Sequence, residues 1–123
     1  MFVSVKGSSY ARFKRAIEVG NLTLIRSAAS ELPQVDLDDA LRVCRVVARD
    51  YPDELERHAL RWLGRFALER ARTVEQVRLA AGAFARARLD PDRAFNDLAR
   101  LAAGVWLNHY LGRPTRAFAD LAI

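Results

Sequence analysis

The chain has one cysteine, Cys44, which rules out a disulfide within it. A lone thiol inside an apolar helical pattern suits a reducing compartment, so a cytoplasmic location is expected. Lysine is almost missing: Lys6 and Lys14 stand against 18 arginines. GC-rich coding explains such a ratio more simply than function does, so only the positions of the arginines are informative. The two histidines, His58 and His109, leave a thin stock of acid–base and nucleophilic groups. That argues against an enzyme, and no residues have the spacing of metal or cofactor ligands. No apolar run approaches 18 residues, so no membrane partner is expected. Met1 to Lys6 holds one base and few apolar residues, too few for the core of a signal peptide. Four prolines occur, and none interrupts a long periodic segment.

What is present fits one globular domain. The 123 residues are 51% apolar and 28% charged. A chain of this size buries roughly 65% of the surface its unfolded form exposes, which needs no covalent staple.

Turn and cap residues divide the chain into helical segments. Ser8 or Ser9 is expected to cap the first, with Tyr10, Phe13, Ala16 and Ile17 inward. Gly20-Asn21 ends that helix and caps a second, which buries Leu22, Ile25, Ala28, Ala29 and Leu32. Asp36 opens a third, carrying Leu37, Ala40, Leu41, Cys44, Val47 and Ala48 on its inner face. After Pro52 a fourth buries Leu55, Ala59, Trp62, Leu63 and Phe66. Thr73 caps a fifth, with Val77, Ala80, Ala81 and Phe84 inward. Asp90-Pro91 starts a sixth through Ala94, Phe95, Leu98, Leu101, Ala102 and Val105, reaching toward Leu111. A short last helix around Phe118 and Leu121 follows Gly112 and Pro114. Only Phe2 to Val5 alternates like a strand. The expectation is an all-α domain of six or seven short-to-medium amphipathic helices over residues 8–123, after an arm over 1–7. Short connections make it an antiparallel bundle or a stack of αα-hairpins.

Three local resemblances follow from quoted strings. Ala16-Ile17-Glu18-Val19-Gly20-Asn21-Leu22-Thr23-Leu24-Ile25 is similar to the inter-helix turn of an ankyrin repeat, which implies a helical hairpin. Ser8 to Phe13, Gly20 to Ile25 and Asp36 to Leu41 resemble a set of uncharacterised small all-helical proteins of high-GC bacteria, a likeness that implies no activity. Thr73 to Ala83 resembles the first helix and turn of a bacterial helix-turn-helix unit, with Ala81-Gly82 at the turn. Three departures oppose that last likeness. Arg78 stands where a small residue packs, Phe84 where a capping serine belongs, and Arg88 where an apolar anchor belongs. One continuous fifth helix is the simpler expectation, with Gly82 costing about 1 kcal/mol relative to alanine.

Charge is unevenly placed. Residues 57–88 carry eight arginines against two acids, and the other 91 positions hold twelve bases and thirteen acids. The net charge of +5 therefore sits in one quarter of the chain. Arg57, Arg61 and Arg65 share one helical face, spaced about 6 Å apart along the axis. Arg70, Arg72 and Arg78 extend a candidate basic binding face if the fourth and fifth helices lie side by side. An acidic protein partner is the first expectation and nucleic acid the alternative. Asp38 and Arg42 form an i, i+4 pair, worth only ~0.3–0.5 kcal/mol and structural. His58 has Glu54 four residues earlier as its one possible acid–base partner. From Val105 to Leu111 the chain is apolar nearly all round a helix. Either the last segment, with Phe118, Leu121 and Ile123, covers it within the chain or a second copy does, which makes Trp106, Leu107, Tyr110, Leu111 and Phe118 candidates for self-association as a homodimer.

Overall fold

A computed structural model describes Val5 to Gly104, with side chains described from Ser8 onward. Its helices are α1 (Val5–Val19), α2 (Leu22–Ala29), α3 (Leu37–Asp50), α4 (Leu55–Glu69), α5 (Val74–Arg86) and α6 (Pro91–Ala103). A single 3-10 turn, Pro52–Glu54, leads into α4, and no strand occurs among the described residues. The protein is all-α.

Most helix ends fall where local chemistry requires. Gly20 closes α1 at φ +80°, a left-handed turn that only glycine takes without strain. Asn21 caps α2, its side chain accepting from the Leu24 amide at 3.1 Å. Thr73 and Gln76 form a capping box on α5, satisfying backbone donors in both directions. Asp90 accepts from the Arg93 amide at 3.3 Å, with Pro91 in the first turn of α6.

Three ends differ from expectation, and the first is α2, which stops at Ala29 so that Leu32 lies beyond it. Helix α1 begins at Val5, ahead of the serines expected to cap it. Its buried residues are Ser9, Phe13 and Ala16. Those positions are i, i+4 and i+7 of one face, so the packed stripe already reaches Ser9 and the helix must start earlier. Ser9 acts inside the helix, accepting from Arg12 at 3.4 Å. At the other end α6 stops short of Leu111. Gly104 adopts φ +77°, and its amide donates to the carbonyls of Arg100 and Leu101. A glycine able to take the left-handed turn closes the helix before the apolar run begins.

Helices α3, α4, α5 and α6 form a closed ring, in which α3 meets α4, α4 meets α5, α5 meets α6 and α6 returns to α3. Inside it lies the main core, centred on Val47, Trp62, Phe66, Ala80 and Leu98. Trp62 stacks on Phe66 (centroids 5.2 Å apart, planes 12° apart) and meets Phe84 edge-on at 5.7 Å. Phe84 in turn meets Phe95 edge-on at 6.0 Å. The α1–α2 hairpin leans on the outside of α3 over a smaller cluster of Phe13, Ala16, Ile25 and Val46.

Residue by residue, the expected inward residues of α3, α4 and α6 are buried or half-buried where described, but α3 also buries Asp39 and Val46, which the apolar stripe did not include. Helix α5 is turned from it. Gln76, Ala80, Ala83 and Phe84 are buried, while Ala81 is exposed. Gln76 is held inward because its Oε1 accepts from the amides of Arg72 and Thr73, at 2.5 and 3.2 Å. Helix α5 also runs unbroken through Gly82, so the helix-turn-helix likeness has no turn there. Tyr10, expected in the core, is 39% exposed because its hydroxyl donates at 2.8 Å to Asp39, which is buried.

Candidate binding cleft

The α1–α2 hairpin and α4 both pack on α3, and an apolar cleft of about 430 Å³ lies between them. Its floor is α3, through Ala40, Val43 and Cys44. One wall presents Phe13, Leu22, Ile25 and Ala29, and the other presents Trp62. The rim is cationic on both sides, with Arg57, Arg61 and Arg65 on α4 and Arg26 on α2. The i, i+4, i+8 spacing along α4 places its three arginines in one row while Ala59, Trp62 and Phe66 face the core.

Several of these charges have partners within the chain. Glu54 Oε1 accepts from both Arg26 and Arg57, each at 2.7 Å, and so bridges α2 to the start of α4. These hydrogen bonds, that from Arg26 first, hold the Glu54 carboxyl below its usual range. Arg65 donates to Glu69 at 2.7 Å, the i, i+4 partner. Arg61 makes no hydrogen bond or ion pair among the described residues. The other rim arginines, Arg26, Arg57 and Arg65, each pair with a carboxylate among the described residues.

The candidate basic face thus divides. Arg57, Arg61 and Arg65 come together at the cleft, whereas Arg70, Arg72 and Arg78 do not line it. Arg70 donates at 2.8 Å to the Ala102 carbonyl, a cation on the C-terminal turn of α6, and approaches Asp38 at 3.9 Å. Arg78 pairs with Glu75 on its own helix. The Arg72 backbone amide is taken by Gln76, and its side chain has no partner among the described residues. Arg42 pairs with buried Asp39 and not with Asp38, because Asp39 is the acid that α3 turns inward beside Tyr10. Trp106, Leu107, Tyr110, Leu111, Phe118 and His109 lie outside the described residues.

Two reactive side chains border the cleft. The Cys44 thiol donates to the His58 carbonyl at 3.8 Å, and burial pushes its pKa up to about 12, so it stays protonated near neutrality. His58 is partly buried, and its pKa is lowered by that burial first and then by Arg61 and Arg26. Its expected partner Glu54 gives its oxygen to two arginines, an arrangement suited to holding charge and not to orienting an imidazole.

The sign of the His58 shift sets a pH dependence. The unfolded chain binds this proton more readily, so stability falls as pH drops through ~6.5 toward the lower folded value. An NMR titration of the imidazole should therefore give a midpoint below ~6.5. Arg61→Gln should move it upward but not fully, since burial is the larger cause. A midpoint at or above the ordinary value would contradict the geometry.

Arg26 was not singled out from sequence. It is one arginine on a short helix, and only the approach of α2 toward α4 gives it a role. No helix among the described residues is long and apolar enough to cross a membrane. The chain matches no known protein family, no curated protein and no solved structure.

Proposed function

We propose that this is a non-enzymatic protein-interaction module whose arginine-rimmed cleft receives an acidic, amphipathic segment of a partner protein. The observation that carries this reading is an apolar floor enclosed by Arg57, Arg61 and Arg65 on one side and Arg26 on the other. Apolar partner side chains would fill the floor, and carboxylates beside them would meet the guanidinium groups, whose planar fork suits carboxylate. An amphipathic helix laid on the cleft would present its apolar side chains to the floor and its flanking acids to the rim. The protonated thiol and the engaged Glu54 favour binding over chemistry.

A nucleic-acid surface is the competing reading of the same arginines. Arg70, Arg72 and Arg78 do not line the cleft, and Arg70 and Arg78 are engaged elsewhere in the chain, so the six arginines form no continuous track for a phosphate backbone. The apolar floor also has no use in following a phosphate backbone, which favours the protein partner.

The test uses a labelled synthetic helix with leucines on one face and glutamates flanking them, beside the same peptide with glutamine for glutamate. Fluorescence anisotropy should show the acidic peptide binding more tightly. Arg61→Glu should weaken it by about tenfold or more, as expected when an interface arginine is removed and a like charge introduced. If the two peptides bind alike, or Arg61→Glu changes nothing, the cleft is not the acidic binding site. A gel shift with duplex DNA separates the alternative. Binding through ~4 phosphate contacts loses on the order of 100-fold affinity between 50 and 200 mM salt.

A further inference from the structure

We infer that Glu54 is a built-in competitor for the partner's carboxylate, occupying an anion seat formed by Arg26 and Arg57 at the mouth of the cleft. This rests on the cleft being the acidic binding site proposed above. One oxygen of Glu54 accepts from guanidinium groups on two different elements, Arg26 on α2 and Arg57 on α4, at 2.7 Å each. Both arginines also line the cleft, so the seat opens onto the same apolar floor that receives the partner. A carboxylate can accept at several lone pairs, and two arginine forks offer more donors than one oxygen uses. An incoming carboxylate thus finds the donor geometry already assembled, with a resident acid in it.

The resident acid is displaceable. The side chains of Arg26 and Arg57 are 54% and 62% exposed and that of Glu54 is 30% exposed, and pairs this open to solvent are weak and screened by salt. Glu54 sits on the 3-10 turn that precedes α4, at the boundary of an element and not within a packed helix. It can swing away without unmaking the core. Arg61, which has no partner among the described residues, then supplies the first contact, and the Arg26–Arg57 seat supplies the second on exchange. The partner this fits carries at least two carboxylates flanking an apolar anchor, so that one reaches Arg61 and another replaces Glu54. A segment with a single acid gains only the Arg61 contact.

The experiment compares parent and Glu54→Gln for the Leu/Glu peptide and its glutamine counterpart. Glu54→Gln keeps the shape and removes the competing charge. It should tighten the acidic peptide about two- to fivefold, the factor that one exposed ion pair can supply. The glutamine peptide should be unchanged. A merely structural clasp between α2 and α4 predicts the opposite, with Glu54→Gln weakening both peptides or neither. If the acidic peptide binds the parent but is not tightened by Glu54→Gln, the competitor role is wrong and the cleft reading stands. If it does not bind the parent, or binds without regard to Arg61, both fall. Should Glu54→Gln fold poorly by thermal melt, Arg26→Gln gives a second route. It removes one side of the seat, and the advantage of a peptide with two glutamates over one with a single glutamate should shrink. An undiminished advantage would overturn the inference.

Discussion

Trp62→Ala is expected to destabilise the protein by about 3–5 kcal/mol. Three losses combine there. The ring is almost completely buried in the main core. It stacks on Phe66 and meets Phe84 edge-on, contacts worth about 0.5–1.5 kcal/mol each beyond burial. Its Nε1 donates to the Leu37 carbonyl at 2.9 Å, tying α4 to the first turn of α3. Chemical denaturation should show a lower midpoint with little change in slope, since the surface exposed on unfolding is nearly the same. Trp62→Phe should recover most of the loss and leave the cost of the missing donor, about 1 kcal/mol. A near-neutral alanine variant would mean that α4 presents another face to the core. Because Trp62 also walls the cleft, the alanine variant should bind acidic peptide poorly even where it remains folded.

Phe13→Ala should cost about 3–5 kcal/mol by the same cavity argument, with a different distribution through the molecule. Phe13 belongs to the smaller cluster that holds the α1–α2 hairpin against α3, where its neighbours are Ala16, Ile25 and Val46. It is the largest side chain of that set, so its removal empties the centre of the contact. Other ties persist: Leu22 of α2 reaches the main core, Tyr10 donates to Asp39 at 2.8 Å and Arg26 to Glu54 at 2.7 Å, but none of them fills that centre. Amide exchange should therefore quicken in α1 and α2 far more than in α5 and α6, because the hairpin opens without the ring of four helices opening. Uniform acceleration across all six helices would show that the hairpin and ring unfold as one unit. The same variant removes the wall opposite Trp62 and should weaken peptide binding.

The two variants mark what was readable in advance and what was not. Trp62 recurs with Leu55, Ala59 and Phe66 on one stripe of a 3.6-residue period, so its burial is legible from spacing alone. Asp39 is not legible in that way. It sits beside Asp38 in a polar first turn, and nothing local says that one of the two is buried. What decides it is Tyr10 arriving from α1, a contact 29 positions away in sequence. Gln76 is a similar case: capping holds a polar side chain inward and turns α5 from the face its alanines suggested.

The basic face shows the same division. That Arg57, Arg61 and Arg65 share one row follows from helix geometry. That Arg70 lies on the end of α6 depends on how helices cross, whereas Arg78 pairs with Glu75 one turn earlier on its own helix. Charge counting along the chain joined all of them because it has no means of seeing which carboxylates fold back.

The sequence by itself determined the all-α class, the positions of most helix ends and the inner faces of α4 and α6. Those depend on residues within a few positions of one another, through periodicity and capping. Only the tertiary structure decided that a hairpin and α4 stand apart on the floor of α3, that Arg26 faces the α4 arginines, and that Glu54 bridges them. A cleft is the space between elements distant in the chain, and its shape is set by which faces pack and which are left uncovered.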